Sequence, residues 1–600
     1  MSSIDPALHP APEYARRLAD RQRRAAELAA AERRIGNWRL VVFVLALVVA
    51  WVVLGMGVLT PAWLALPVAA FVALVFAHTR VIPARRRADR SVQYYELGLA
   101  RIEDRWTGRG ASGDRFVDPA HPYSSDLDLF GRGSLFELMC TARTRAGEDT
   151  LATWLCTPTA PAEIGARQVS IAELGPRLDL REELSLLGAD IGAGLHPEEL
   201  TAWGEAAPTL HWPALRLVAA VLVALTASAF LAYVAGWVGP LPVAVGVLAQ
   251  ALLAAPLRKR VRAVIRAVEL PGRDLGLLVD LLTRIERESF SAPRLAAVRA
   301  ALDSRGVPPS RRIAQLERLI NLLDARRNQL FAPLAPLLLW GTQLALAVEA
   351  WRAVSGPAVA RWLQVVGEFE ALCALGTYAY EHPDDPFPEI GADAPLFDAE
   401  AIGHPLLPVA RCVRNDVHLA ADLAVLVISG SNMSGKSTLL RTVGVNAVLA
   451  QAGAPVRARR LRLSPLAVGT SMRIADSLQA GTSRFYAEIQ RLRQIVDLAA
   501  GPRPLLFLLD EILHGTNSHD RRFGAEAIVR GLVQRGAIGL VTTHDLSLAT
   551  IADALAPRAA NVHFEDHLED GRMTFDYQLR PGVVRKSNAL ELMRAVGLEV

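Results

Sequence analysis

The chain has 600 residues, 52% of them hydrophobic and 21% charged, with a formal net charge of +4. That length calls for three or four modules, and the near balance of charge excludes a chain that binds polyanions over its whole surface. Cys140, Cys156, Cys373 and Cys412 lie far apart with no C-x-x-C pair, so they give no metal-ligand spacing and read as reduced, mostly buried thiols in a cytosolic setting.

The segment from Tyr14 to Arg34 is rich in Ala, Arg and Glu and has helical character. Arg16, Arg17, Arg21, Arg23 and Arg24 fit either anionic lipid headgroups or a solvated helical face. Residues 40–59 then carry no charge, long enough for a helix to cross a bilayer core. Thr60-Pro61-Ala62 breaks the run, and residues 63–77 return. A second pair follows the same plan, with residues 217–238, a Gly239-Pro240 turn and residues 241–257. Arginines flank both pairs: Arg33, Arg34, Arg39, Arg80, Arg85, Arg86 and Arg87 around the first, Arg216, Arg258, Arg260 and Arg262 around the second. The positive-inside rule then predicts cytoplasmic flanks and two short external turns. Buried core helices are the alternative. Polar groups inside the stretches are limited to Thr226, Ser228, Tyr233 and Gln250, so the hairpins read as anchors rather than a transport path.

Between residues 284 and 327 many arginines interleave with Glu286, Glu288, Glu317 and Asp324, and Ile313, Leu316, Ile320 and Leu323 form an apolar stripe. A solvated amphipathic helix and a phosphate-tracking surface both fit. Residues 334–348 are apolar, begin among prolines and run into Glu349, which predicts a core helix.

The most informative segment is Gly430-Ser431-Asn432-Met433-Ser434-Gly435-Lys436-Ser437-Thr438. It lies between an apolar strand, residues 423–428, and the start of a helix at Leu439. Strand, glycine-rich turn and helix is the context of a P-loop. Its backbone amides and helix N-terminus would face the phosphates of ATP. Lys436 would supply a compact charge, and Ser437 a hydroxyl to Mg²⁺. The chain has only three lysines, Lys259, Lys436 and Lys586, in a sequence that otherwise uses arginine. Keeping lysine here suits a site that needs a point charge. Downstream, residues 505–509 form an apolar run ending at Asp510-Glu511, the pattern that delivers Asp510 to the metal shell and Glu511 to the attacking water. A further strand, residues 537–543, ends at His544, a candidate catalytic or sensing group beside the γ-phosphate.

Together the P-loop Ser431-Asn432-Met433-Ser434-Gly435-Lys436-Ser437-Thr438, Asp510-Glu511, Gly515-Thr516-Asn517-Ser518-His519-Asp520 and Thr543-His544 resemble the MutS branch of ABC-type ATPases. His404-Pro405-Leu406-Leu407 and Asn415-Asp416-Val417 are similar to the segment entering the MutS nucleotide site. Gly481-Thr482-Ser483-Arg484-Phe485 falls where the family carries its signature segment, which implies that Ser483 reaches across a homodimer to the partner's nucleotide. Asp126-Leu127-Asp128-Leu129-Phe130-Gly131 resembles the helical core, and residues 352–380 the lever helices. Nothing before residue 120 resembles the mismatch-reading domain with its Phe-x-Glu wedge.

The resemblance implies a C-terminal α/β P-loop ABC-type ATPase domain, preceded by an all-α MutS-like core and lever region that two transmembrane helical hairpins interrupt. The expected modules are 1–37, a basic cytoplasmic helix; 38–82, hairpin one; 83–210, core, first part; 211–257, hairpin two; 258–395, core and lever, second part; and 396–600, the ATPase. The nucleotide-binding set is Asn432, Met433, Ser434, Gly435, Lys436, Ser437, Thr438 and Ser483, with Glu511 and His544 catalytic and Ser437 and Asp510 on the metal. The family implies DNA as ligand and a homodimer; the hairpins imply the lipid bilayer, as a multi-pass protein of the inner membrane. Two readings compete: a nucleotide-switched membrane scaffold without DNA, and an ABC-type transporter, which lacks support from the missing Leu-Ser-Gly-Gly-Gln signature.

Overall fold

The computed structural model describes residues 10–191, 195–210, 213–303, 306–325, 331–391, 394–431, 434–473, 484–513, 518–544, 546–569 and 572–584. Helices α1 (Pro10–Ala50) and α2 (Ala65–Ile102) pair as a hairpin. Then come α3 (Leu135–Met139), α4 (Arg145–Cys156), α5 (Pro161–Leu174), α6 (Leu178–Ile191) and α7 (Pro197–Glu205). A second hairpin, α8 (Pro213–Val234) and α9 (Leu241–Glu286), is followed by α10 (Pro293–Ala300), α11 (Pro309–Ala325), α12 (Leu334–Leu337) and α13 (Trp340–Glu381).

Helices α1, α2, α8 and α9 are long and apolar enough to cross a membrane by length and composition. Their apolar side chains face outwards: Leu47, Phe76, Leu225 and Leu252 are all exposed. These apolar faces are not covered by the described residues of this chain. Each hairpin also runs on into the helical core without a break. Residues 37/38 and 82/83 lie inside α1 and α2, and 257/258 inside α9. Beyond Leu257 the pattern of α9 changes, and Val261, Val264, Val268, Leu275, Leu278 and Leu282 turn into the core at helical spacing.

The N-terminal arginines are mostly committed to the protein. Arg21 forms a two-pronged pair with Glu182 of α6 at 2.8 and 2.9 Å, and Arg17 pairs with Asp179. Arg16, Arg23 and Arg24 pair with Glu13, Asp20 and Glu27 on their own helix. Tyr14, fully buried, donates to Glu381 at the far end of α13, and Arg101 of α2 donates to the same carboxylate at 2.6 Å. These contacts tie the first hairpin to α13.

Two arginines of the next region are paired within the chain: Arg284, near the end of α9, with Glu183 at 2.7 Å, and Arg294 with Glu368 at 2.5 Å and Glu163 at 3.2 Å. Ile313, Leu316 and Leu323 are buried along α11, so α11 is the amphipathic helix that the apolar stripe predicts. The core helix expected over residues 334–348 starts late. Leu339 adopts a left-handed backbone (φ +47°) between α12 and α13. Burial begins there, while Leu334 and Leu337 are 51% and 46% exposed.

Ten strands follow: β1 (Glu389–Ile390), β2 (Leu396–Ile402), β3 (Asn415–Ala420), β4 (Val425–Ser429), β5 (Arg460–Leu463), β6 (Ala467–Ser471), β7 (Leu505–Asp510), β8 (Ile538–Thr543), β9 (Ala559–Glu569) and β10 (Arg572–Pro581). One sheet has the order β1-β5-β2-β3, the other β10-β9-β4-β8-β7-β6. In the larger sheet β4 pairs in parallel with β8 and β9, and β7 with β8 and β6. Every residue of β4 and β8 is buried, the run of continuous hydrophobics that parallel strands covered on both faces require. Helices α14 (Lys436–Ala452), α15 (Arg484–Leu498), α16 (Ser518–Gln534) and α17 (Thr550–Ala554) lie between these strands in the chain. A helical N-terminal region followed by an α/β-sheet domain is the MutS-like layout.

Candidate nucleotide site

The register of the large sheet brings the functional residues to one edge. Ser429, the last residue of β4, lies opposite Thr543 of β8, and Asp510, the last of β7, lies opposite Thr542. Three strand C-termini therefore open on the same crevice, where parallel α/β sheets bind ligands. The chain leaves β4 through Gly430 and enters α14 through Gly435, which has φ +101°. A Cβ at Gly435 would be strained there, and would stand 3.0 Å from the Tyr577 ring.

Lys436 opens α14 and is buried, its Nζ donating to the carbonyls of Gly430 and Ser431 at 2.9 and 2.8 Å. Burial pulls its pKa below the usual lysine range, while Glu511 and Asp510 oppose that shift. The Nζ lies 4.0 Å from Glu511 Oε1, and His544 Nδ1 lies 3.4 Å from the same oxygen. Glu511 itself has φ +49°, a left-handed conformation that a side-chain-bearing residue rarely adopts. That turn directly after β7 brings its carboxylate between lysine and histidine. Thr542 organises both acids: its hydroxyl donates to Asp510 Oδ1 and accepts from the Glu511 amide at 3.0 Å.

A cavity of about 960 Å³ lies over this edge, lined by Lys436, Ser437, Thr438, Asp510 and Glu511, with Tyr577 opposite. Asn415 holds the far wall in place, donating to the Tyr577 carbonyl at 3.0 Å and accepting from Leu579 N at 2.7 Å. His404 is a different kind of residue. Burial, and then the charge of Arg441, push its pKa down to about 4, and its Nδ1 accepts from Leu406 N. It is a neutral brace of the loop.

The residues present suit a nucleoside triphosphate with a divalent cation. The amides at the start of α14 face an anion. The hydroxyls of Ser431 and Ser434 are buried without a hydrogen-bond partner in the protein, a cost that phosphate oxygens would relieve. Ser437 and Asp510 offer the hard oxygen donors that Mg²⁺ prefers. Among the described residues no cluster of three His, Cys, Asp or Glu forms a metal cage, so such an ion would depend on phosphate and water for its remaining ligands.

Thus Ser434, Gly435, Lys436, Ser437, Thr438, Asp510, Glu511 and His544 lie along or next to one crevice. Asn432, Met433 and Ser483 lie outside the described residues. Three contributors escaped the sequence reading of the site. Thr542 was visible only as a strand residue. Tyr577 forms the wall from a distant hairpin. Glu488, buried on α15, accepts from Leu513 N at 2.5 Å and fixes the turn after Glu511.

Residues 426–599 match the family MutS domain V. Over 239 residues the chain is 34% identical to the DNA mismatch repair protein MutS of Natronomonas pharaonis, covering 39% of this chain and 27% of that protein. Over 246 residues it is 36% identical to the DNA mismatch repair protein MutS 2 of Halobacterium salinarum, covering 40% and 27%. Endonuclease MutS2 of Thermus thermophilus is 34% identical over 203 residues, 32% of this chain and 25% of that protein. The chain thus spans about a quarter of the length of the curated relatives it matches. These likenesses support a MutS-family member.

Proposed function

We propose that this chain is a MutS-family ATPase held in a membrane by two helical hairpins, which binds and hydrolyses ATP with Mg²⁺ and engages DNA as a homodimer. The observation that carries the ATPase reading is the meeting of Lys436, Glu511 and His544 within 4.0 Å at the ends of β4, β7 and β8. In this reading the α14 amides and Lys436 orient the β- and γ-phosphates, and Ser437 and Asp510 would hold a Mg²⁺ that would supply electrostatic stabilisation of the phosphoryl group. Glu511 orients and polarises the attacking water. His544, within reach of that carboxylate, steadies it or senses the γ-phosphate. Ser483 completes the site of the other protomer.

DNA as ligand rests on the likeness to MutS-type proteins. A second reading, a nucleotide-switched membrane scaffold without DNA, gains from the pairing of Arg284 and Arg294 with acids of the same chain, which removes charge from the region where a DNA clamp would lie.

The ATPase reading is tested with three variants of the full chain. Glu511→Gln should bind MgATP and lose turnover by on the order of 10²–10³, since it removes a group acting mainly in the transition state. Lys436→Ala should lose binding and turnover together. Mixing Lys436→Ala with Ser483→Ala chains should restore part of the rate, because one composite site stays intact. Wild-type turnover in Glu511→Gln would remove the catalytic assignment, and failure of complementation would remove the shared site.

A further inference from the structure

Residues 331–348 carry no charge, yet the first part of this stretch stays outside the core. Ala332, Pro333, Leu334, Pro336 and Leu337 are all exposed. Leu322 of α11 adds to the same patch: it is 43% exposed, and its carbonyl accepts from Trp340 Nε1 at 2.7 Å. Phe331 packs edge-on against Trp340, ring centroids 5.1 Å apart. The result is an apolar turn with an aromatic pair at its base.

Its place in the fold says what covers it. Helix α11 runs antiparallel to α9, since a side chain at Gly272 would meet Ile320 and one at Gly276 would meet Glu317. It also runs antiparallel to α13, since Trp340 donates to Leu322 O and Trp351 to Arg312 O. Helices α9 and α13 therefore point the same way, with α13 beginning about 36 Å along α9, beside Ile265. The beginning of α9 is its apolar, outward-facing half. At the start of α13, Gly341 lies beside Ile265 of α9, eight residues past Leu257 and so about 12 Å along the helix axis. The turn at 331–338 precedes that point, on the side of the apolar hairpin, and α13 also touches α8.

We propose that the turn at residues 331–338 is a monotopic membrane contact, seated in the headgroup–acyl boundary beside the second hairpin; this rests on the reading of that hairpin as membrane-spanning. Leu334 and Leu337 enter the boundary, and Phe331 and Trp340 lie at headgroup level, where aromatic rings gather. The left-handed residue Leu339 turns the chain from this contact into α13. Because α13 runs 42 residues to Glu381 and leads into β1 of the nucleotide-binding domain, the contact fixes one end of the lever against the bilayer.

The test places a benzophenone amino acid singly at Leu334, Leu337, Leu225 and Val117 of the full chain, reconstituted in vesicles of phosphatidylethanolamine and phosphatidylglycerol. Irradiation is followed by mass analysis of the adducts. All four positions are exposed at the protein surface. Leu225 reports the span, and Val117 a surface remote from it. Lipid adducts at Leu334 and Leu337 about tenfold above Val117, alongside adducts at Leu225, establish the contact. Adducts at Leu225 but background yield at Leu334 and Leu337 overturn it and leave the membrane span standing. Crosslinks from Leu334 or Leu337 to a second copy of the chain overturn it as well. No lipid adduct at Leu225 removes the span and this contact together.

Discussion

Glu370 is a carboxylate enclosed on every side, accepting from the amides of Arg143 and Thr144 and from the Thr144 hydroxyl at the start of α4. Burial pushes its pKa up to about 7, against those hydrogen bonds. A folded-state value above the unfolded one means that the native protein holds the proton more tightly. The associated stability is therefore complete below about pH 4.5 and fades as the pH rises to about 7, by on the order of 3 kcal/mol. The wild-type Tm should fall across that window, while Glu370→Gln should show a much flatter profile. Parallel profiles would mean that Glu370 is ionised throughout. Single residues were legible in the sequence where chemistry demands a type: Lys436 in a lysine-poor chain, and Asp510-Glu511 at a strand end. Thr542 was not, because its double hydrogen bond depends on the β7–β8 register, which no local pattern encodes.

At the scale of elements, two aspartates help join the helical core to the sheet. Asp126 accepts from Thr470 Oγ1 at 2.7 Å, Met472 N at 3.1 Å and Arg473 N at 3.0 Å, so it caps the end of β6. Asp128 pairs with Arg473 at 2.5 Å and lies 3.6 Å from Arg441 of the P-loop helix α14. The segment that follows Arg473 leads to Ser483. Asp126→Ala should leave the Met472 and Arg473 amides without their acceptor, costing about 1–3 kcal/mol of stability. ATP binding should persist while turnover falls, because the chain leading to the shared site is loosened. Turnover and Tm both unchanged would deny the coupling. Strand, loop and helix around the P-loop were legible because apolar run, glycines and helix start lie next to one another. The Asp126 contacts join residues more than 340 apart, beyond any periodicity. The core helix expected over 334–348 holds from Trp340 onward, but hydropathy alone does not mark the left-handed turn at Leu339 that delays it.

For the whole molecule, the hairpins and the nucleotide site imply one topology. Cysteines at Thr60 and Gly239 should react with an impermeant thiol reagent added outside, and one at Ser112 should react only after the membrane is opened. Labelling of Ser112 from outside would invert the arrangement. On the proposed reading, a chain held at the bilayer would meet DNA mainly through its phosphates. The central claim, a membrane-held MutS-type ATPase that acts on DNA, is tested most directly by measuring duplex retention by the full chain in lipid nanodiscs, with and without ATP, over a salt series. The account predicts retention that falls steeply with salt, shifts with ATP, and differs by less than about tenfold, or 1.4 kcal/mol, between matched and G·T-mismatched duplex. No retention of either duplex at low salt in any nucleotide state would contradict it in favour of the scaffold reading, and a larger mismatch preference would restore a repair sensor.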